Sequence, residues 1–389
     1  MDTRPSLDLP CEALRARVTE VVRRHWVRPH PAEPFVPPSE KGVEELARSI
    51  LDTMLTRQFR VGPLPSVDLY EQFLAPIRRF VRKGKPVRVT VGYGPLKNPN
   101  GVAHSRADWA EFFALCHLVA WHNKVQRVYP PGLQFQIYFD DETLLVANGA
   151  DRVLMKSYMS SIADLIGVLD YRTVFLPPTR ITHFAWFLRF GPYQLFRFAL
   201  LRIGEWRVRR WENDPAHRDQ IERMTEYARR NVIVPANLSA EEQERFVRHA
   251  SHRFRVCWDA LRLGAQIFPD RERLVALYLD GSQHHRLQVA LHLTSVDKGQ
   301  MTQPWQGEGV LLDNGYQKLE PFVLTAGRRS RYNSRILDGL DLVAAPGFDR
   351  LAVVWPQAPI VSSSAAEQAE PLTHAMTGET PVPPTVPIE

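Results

Sequence analysis

Cysteine is scarce in this sequence, and the three cysteines present are widely separated. Cys11, Cys116 and Cys257 have no other cysteine close to them in the chain. This spacing excludes a disulfide framework and a zinc site built from cysteines alone. Few cysteines are typical of a reducing compartment, and the first residues include no apolar stretch that would serve as a signal peptide. We therefore expect a cytoplasmic protein.

A long uncharged apolar run is also absent. The chain is 44% hydrophobic and 24% charged, which is typical of a soluble globular protein. It lacks the ~20 uncharged apolar residues that a membrane-spanning helix needs, since its most apolar segment, Phe184–Trp211, is interrupted by Pro192, Arg189, Arg197 and Arg202. Two interpretations stay open for this segment: a buried helix whose arginine side chains extend to solvent, or a basic amphipathic helix on a membrane surface.

Lysine is rare among the basic residues. Of the 49 lysines and arginines only eight are lysines, and the net charge is +6. A basic chain raises the question of nucleic-acid binding. Zinc-finger spacing, an aromatic RNA-binding signature and a lysine-rich run are all missing, so we predict no nucleic-acid partner.

Several compact catalytic motifs are missing as well. There is no HExxH zinc motif and no G-x-S-x-G nucleophile turn. Gly92-Tyr93-Gly94 follows a predicted strand but lacks the third glycine of a dinucleotide-binding loop. Histidine pairs occur, such as His249 and His252 at helical spacing, yet no carboxylate pair accompanies them. We interpret these histidines as surface or hydrogen-bonded residues and predict no metal site.

Strand and helix signals alternate in the first half of the chain. Runs of β-branched and apolar residues predict strands, and apolar residues at helical spacing predict helices. In chain order the predictions are the strand Pro86–Tyr93, a helix from Ser105 (with Asp108 in its capping box) to about Tyr129, the strand Leu133–Phe139, the helix Asp151–Leu169 and the strand Arg172–Leu176. This order is typical of a Rossmann-like α/β fold, in which helices flank a parallel or mixed sheet.

Further elements are predicted on either side of this unit. An N-terminal helical cap is predicted from three helices, Pro10–Arg28, Lys41–Leu55 (with Ser39 as N-cap) and Val67–Val81. The stretch from His183 to about Ala265 is predicted to be mostly helical. Short strands, including antiparallel pairs, are predicted at Leu274–Leu279, Arg286–Leu293, Glu308–Leu312, Gln317–Leu324 and Leu351–Trp355.

These patterns divide the chain into five predicted parts. They are the N-terminal helical cap (1–80), the α/β half of the main domain (81–180), a helical insertion (181–265), a second, β-rich half of the main domain (266–356) and a tail (357–389). The tail has no lysine or arginine, four glutamates and six prolines. We expect it to be disordered, because such a segment buries too little apolar surface to fold.

Two residues beside predicted strand ends are candidates for chemistry. Lys97 follows the first strand, and ligands bind at the carboxyl ends of strands in open α/β sheets. A lysine there anchors a phosphate or forms a Schiff base with a ketone; the alternative is a solvated loop lysine. His292 ends the strand segment Leu287–His292 and precedes Lys298. It suits a general acid or base; the alternative is a histidine that caps the strand.

A series of short motifs runs from the first strand into the last third of the chain. It consists of Gly84-Lys85-Pro86-Val87, Lys97-Asn98-Pro99-Asn100, a helix with Glu111, Tyr129-Pro130-Pro131-Gly132, Asp140-Asp141, His292, Lys298 and Pro304-Trp305-Gln306-Gly307. In order and spacing these motifs resemble the isonitrile synthase family, which includes proteins associated with dityrosine and pyoverdine biosynthesis. The resemblance extends from Val81 to Leu324, well over half the chain.

Four positions depart from the family pattern. The late strand has Gln288 and Ala290 where an arginine and a serine are usual, and Gln306 stands where a histidine is usual. Asp141 is followed by Glu142 instead of glycine. These changes remove a fixed cation and a titratable group, and they indicate a diverged member.

The resemblance implies a biosynthetic enzyme of secondary metabolism. Such an enzyme condenses the amino group of an amino acid or amine with the C2 ketone of ribulose 5-phosphate to form an isonitrile. It needs no metal or organic cofactor, and an iron- and 2-oxoglutarate-dependent oxygenase often acts next. On this resemblance the catalytic candidates are Lys97 and His292, and the substrate-binding candidates are Lys298 for the phosphate, Asp140 or Asp141 for the ammonium, Trp305 and Gln306.

Two other functions stay open on the sequence alone. The missing arginine and histidine suit a diverged, non-catalytic protein of the same fold that binds a metabolite or a partner protein. The segment Phe184–Trp211 suits a peripheral membrane protein.

Overall fold

The computed structural model describes residues 11–31, 33–59, 64–94, 96–97, 106–139, 152–180, 193–232, 234, 237–267, 274–276, 304–313, 319–325, 340–345 and 348–356. In this part of the chain the helices are α1 (Cys11–His25), α2 (Glu40–Met54), α3 (Val67–Arg82), α4 (Trp109–Gln126), α5 (Arg152–Val168), α6 (Tyr193–Glu212), α7 (Arg218–Asn231) and α8 (Ala240–Ile267). The strands are β1 (Val87–Tyr93), β2 (Leu133–Phe139), β3 (Phe175–Arg180), β4 (Leu274–Ala276), β5 (Gly307–Asp313), β6 (Leu319–Thr325), β7 (Leu340–Ala345) and β8 (Phe348–Pro356).

Four of these strands form a parallel sheet in the order β3-β2-β1-β4. β1 and β2 pair along their whole length, from Val87 opposite Leu133 to Tyr93 opposite Phe139. Helices follow β1 and β2, as parallel connections require. The predicted α/β fold with flanking helices is confirmed.

α4 is the central helix of the hydrophobic core. Its residues are almost all buried, and Trp109, Phe112, Leu118 and Trp121 have no exposed surface. A helix that is apolar on every side is enclosed by other elements, and α4 contacts β2, α2 and α5. Any polar group on this helix therefore needs a partner inside the protein.

The three predicted N-terminal helices are present as α1, α2 and α3. Val21, Ile50 and Ile77, one from each helix, belong to the same hydrophobic core as the sheet. Ser39 is the N-cap of α2, but its side chain makes no capping hydrogen bond. The division of the chain into parts at residue 80 and beyond stays a prediction.

β3 differs from its prediction at both ends. The sequence places this strand at Arg172–Leu176 and ends it at two prolines, whereas the strand spans Phe175–Arg180 and includes Pro177 and Pro178. Among the described strands, β3 lies at the edge of the sheet and pairs with β2. An edge strand tolerates proline, because one side of its backbone is not needed for the ladder.

The capping box of α4 lies three residues later than predicted. The sequence places Ser105 at the cap and Asp108 inside the helix, whereas Asp108 is the N-cap and α4 begins at Trp109. The Asp108 side chain accepts a hydrogen bond from the Ala110 N–H, and Glu111 accepts one from the Asp108 N–H. Both carboxyl groups thereby satisfy backbone donors that the first turn leaves unpaired.

The last described strands form two antiparallel hairpins, β5–β6 and β7–β8. Antiparallel pairing is confirmed for this region, but β7 was not predicted. Its sequence, Leu-Asp-Leu-Val-Ala-Ala, contains aspartate and alanine, which weaken a strand signal. The predicted strand Arg286–Leu293 and the tail 357–389 lie outside the described residues.

The predicted helical stretch contains α6, α7 and α8. α6 covers most of the apolar, arginine-rich segment; it buries Val208 and Trp211 but exposes Ile203 and Trp206. Gly204 allows α6 to approach α8 closely, because a Cβ atom there would lie 2.9 Å from the Val256 carbonyl oxygen. Among the described helices, none is long and apolar enough to cross a membrane.

Candidate functional site

The carboxyl end of β1 lies where the strand order of the sheet changes direction. From β1 the chain proceeds to β2 and β3 on one side, and it later returns to β4 on the other side of β1. In open α/β sheets, ligands bind in the crevice at such a point. Tyr93 is the last residue of β1, and Lys97 lies in the segment that follows.

Lys97 is a fully buried cation with three acceptors. Its Nζ atom lies 2.8 Å from Asp108 Oδ2 and 2.9 Å from Glu111 Oε2. It also donates to the Pro304 carbonyl oxygen at 3.0 Å. The solvated loop lysine considered from the sequence is therefore wrong: Lys97 joins the end of β1, the start of α4 and the 3-10 turn Pro304–Gln306.

Glu111 connects this cation to α5. Its Oε2 atom accepts from Lys97 and from the Asp108 N–H, and its Oε1 atom accepts from the Tyr158 hydroxyl at 2.8 Å. Ser161 secures the same region, because its hydroxyl accepts from the Ala107 N–H and donates to the Tyr158 carbonyl. All these side chains are buried. We call Lys97, Asp108, Glu111 and Tyr158 the lysine cluster.

Burial and charge shift the pKa values of the cluster in different directions. Burial raises the pKa of Glu111 to about 8, although the charge of Lys97 acts against this rise. Burial by itself lowers the pKa of Lys97, but the charges of Asp108 and Glu111 outweigh it, so that pKa lies above its ordinary value. Lys97 is thus a cation at neutral pH, and Glu111 holds its proton more tightly than an exposed carboxyl group does.

The proton of neutral Glu111 has one suitable position. Lys97 and the Asp108 N–H both donate to Oε2, so the proton belongs on Oε1. There it is donated to the Tyr158 oxygen, whereas in the ionised form Tyr158 donates to Glu111. The lysine cluster therefore combines a fixed cation with a carboxyl group that exchanges a proton near neutral pH, which is the requirement for general acid–base catalysis.

An aromatic pair lies beside this cluster. The rings of Tyr93 and Trp305 are 4.8 Å apart, and Phe139 at the end of β2 packs edge-on against Tyr93 at 6.3 Å. Gly94 makes room for the indole, because a Cβ atom there would lie 2.6 Å from Trp305 Nε1. A residue far away in the sequence thus covers the segment that follows β1.

The structure brings together two of the predicted site residues, Lys97 and Trp305. Gln306 ends the same 3-10 turn as Trp305. The other predicted site residues, Asp140, Asp141, His292 and Lys298, lie outside the described residues. Their roles stay predictions.

Four residues at this location were not predicted as site residues: Tyr93, Asp108, Glu111 and Tyr158. The sequence contains a signal for one of them, Glu111. Glu111 is the only charged residue in the segment Trp109–Leu115, and a carboxyl group inside an apolar helix needs a buried partner. The position of Tyr93 beside Trp305 has no such local signal.

Two buried or half-buried histidines, His122 and His252, make hydrogen bonds within the protein. His122 Nδ1 lies 2.6 Å from the Leu133 carbonyl oxygen. His252 lies between Glu205 and Glu212 and joins α6 to α8. Among the described residues, no group of three His, Cys, Asp or Glu side chains is arranged to hold a metal ion.

Comparison with known proteins identifies the fold. No protein-family model and no curated protein sequence matches the chain. The crystal structure of the PvcA protein from Pseudomonas aeruginosa is similar to it, with a TM-score of 0.59 and 17% sequence identity over 80% of this chain and 99% of PvcA. The chain has the PvcA fold.

A substitution at Gly94 tests how closely Trp305 packs against the segment that follows β1. We expect Gly94→Ala to lower the free energy of unfolding by roughly 1–3 kcal/mol, because the new methyl group displaces a packed indole. Urea unfolding measures the loss, and near-UV circular dichroism reports the change around the tryptophan. Gly167→Ala is the matched control, since its methyl group meets only the flexible end of Arg172. Equal stability of the two variants would contradict the expectation.

Proposed function

We propose that this protein is a biosynthetic enzyme of the isonitrile synthase type. It joins the amino group of an amino acid or amine to the C2 ketone of ribulose 5-phosphate, and the ketose supplies the isonitrile carbon. An iron- and 2-oxoglutarate-dependent oxygenase that acts on the product is part of the same proposal.

The observation that carries the proposal is the buried lysine cluster at the carboxyl end of β1. Lys97 and Glu111 belong to two of the motifs that resemble the family, and the fold brings them within 2.9 Å of each other at the expected ligand edge. The chain also shares its fold with PvcA.

The cluster suits the chemistry of amine and ketone condensation. Forming an imine requires proton transfers at the amine nitrogen and at the carbonyl oxygen. Glu111, with its pKa near 8, takes up and releases a proton in the required range. Lys97 stays an ammonium group between two carboxyl groups, so in this proposal it stabilises negative charge and does not form a Schiff base.

The remaining predicted residues complete the proposal. His292 is the second acid–base candidate, Lys298 the phosphate ligand, and Asp140 or Asp141 the partner of the substrate ammonium. Trp305 and Gln306 are proposed to contact the substrate from the 3-10 turn.

Calorimetric titration with ribulose 5-phosphate tests this function. We expect micromolar binding of the ketose phosphate, and at least roughly tenfold weaker binding of ribose 5-phosphate and free phosphate, since both lack the C2 ketone. Each titration is repeated in the presence of tyrosine or tryptophan to allow for ordered binding. Incubation with both substrates should then give a product with one more carbon and two fewer hydrogens than the amine, which a tetrazine probe captures as an isonitrile.

The outcomes separate two functions. Binding of the ketose phosphate without any product from a panel of amines would favour the diverged, non-catalytic protein. Absence of sugar-phosphate binding under all these conditions would overturn the proposed function.

A further inference from the structure

The hydroxyl group of Tyr93 is buried but has no hydrogen-bond partner. Tyr93 is only 2% exposed, and none of the described residues accepts from or donates to its hydroxyl. Buried polar groups are normally paired, and an unpaired one lowers stability. An unpaired donor at a ligand-binding edge is therefore a candidate for pairing with a ligand.

Its neighbours in the site are already engaged. The Lys97 ammonium group has three acceptors, and the Tyr158 hydroxyl is hydrogen-bonded to Glu111 in either protonation state of that carboxyl group. In the described part of the chain, the polar side-chain groups of the lysine cluster all have hydrogen-bond partners, whereas the Tyr93 hydroxyl has none.

Packing holds the Tyr93 ring in place. The centre of the ring is 4.8 Å from that of Trp305 and 6.3 Å from that of Phe139, and Tyr93 is the last residue of β1, a strand inside the sheet. A side chain fixed in this way loses little conformational freedom when a ligand pairs with it. The position differs from that of Thr90, whose unpaired hydroxyl lies within the same strand and away from its end.

We propose that the Tyr93 hydroxyl donates a hydrogen bond to an oxygen atom of the bound substrate, which makes Tyr93 a substrate-binding residue at the carboxyl end of β1. This inference rests on the proposed function, in which the substrate is a sugar phosphate rich in hydroxyl and carbonyl oxygens. Pairing with the substrate gives the hydroxyl the partner that the protein does not supply.

The hydroxyl acts as a donor and not as an anion. Burial, with the negative charge of Glu111 as a smaller cause, raises the pKa of Tyr93 well above its usual range. The phenol therefore keeps its proton throughout the physiological pH range. A substrate that lacks an oxygen acceptor at this position leaves the donor unpaired and binds more weakly.

Tyr93→Phe, compared with Thr90→Val, tests the inference. Ribulose 5-phosphate is titrated into the wild type and both variants, and urea unfolding is measured for each. We expect Tyr93→Phe to weaken binding by roughly tenfold, the usual effect of losing one hydrogen bond. Its stability should equal or exceed that of the wild type, because the ring stays and only an unpaired hydroxyl is removed. Thr90→Val should likewise keep its stability and bind as tightly as the wild type.

Every other result contradicts the inference, and the results show whether the proposed function fails with it. Equal affinity of the wild type and Tyr93→Phe overturns it and leaves the proposed function intact. Lower stability or failure to fold of Tyr93→Phe overturns it as well, since the hydroxyl would then have a structural partner. Absence of binding to the wild type overturns the proposed function, and this inference with it.

Discussion

Lys97→Met is expected to lower the free energy of unfolding by about 3–5 kcal/mol, the usual cost of removing one partner from a buried ion pair. Methionine retains the length and the apolar body of the lysine side chain but not its charge. Asp108 and Glu111 then remain buried without their cation, and the Pro304 carbonyl oxygen loses its donor. The segment after β1 also loses its connection to the 3-10 turn.

Urea unfolding at pH 7 measures this loss, and Lys83→Met is its control. Lys83 is exposed just before β1, and exchanging a surface lysine changes stability by only about 0.5 kcal/mol. If Lys97→Met and Lys83→Met unfold at the same urea concentration, Lys97 does not stabilise the carboxyl groups as described.

Glu111→Gln is expected to change how stability depends on pH. The pKa of Glu111 is about 8 in the folded protein and near 4.5 in the unfolded chain. Between these values the folded state binds the proton more tightly, so the free energy of unfolding falls as pH rises from 4.5 to 8. At ~1.4 kcal/mol for each pH unit, this one carboxyl group is expected to remove ~5 kcal/mol over that range.

The glutamine variant lacks this titration but keeps an oxygen acceptor and a polar contact for Tyr158. The free energy of unfolding is measured in urea at pH 5, 6.5 and 8 for both proteins. The value for Glu111→Gln minus the value for the wild type should increase as pH rises. Glu45→Gln is the control, because Glu45 lies on the exposed side of α2. Parallel pH profiles for the wild type and Glu111→Gln would show that Glu111 ionises normally.

Most of the secondary structure was predictable because it follows local patterns. The β-branched segment Val87–Val91 is a buried strand, and Leu133–Phe139 forms a strand with the predicted bounds. Alternating strands and helices correctly predict the parallel sheet. Local patterns succeed here because the period of apolar residues is itself the cause of burial on one face.

The errors concern features in which a neighbouring element overrides a local signal. Pro177 and Pro178 look like the end of a strand, yet β3 continues through them because it lies at the sheet edge. Ser105 and Asp108 look like a capping box, yet Asp108 and Glu111 form it, since both carboxyl groups also face Lys97. In each case the deciding partner is distant in sequence.

The sequence by itself determined the α/β class and most elements of the first half, and it indicated a rare lysine after the first strand as a candidate site residue. The tertiary structure alone decided the position of β4 beside β1, the contact of Lys97 with Pro304, 207 residues away, and the pairing of Tyr93 with Trp305. The reason is physical. Secondary structure depends on the periodicity of neighbouring residues, whereas the site depends on buried charges and rings whose partners are chosen only when the whole core closes.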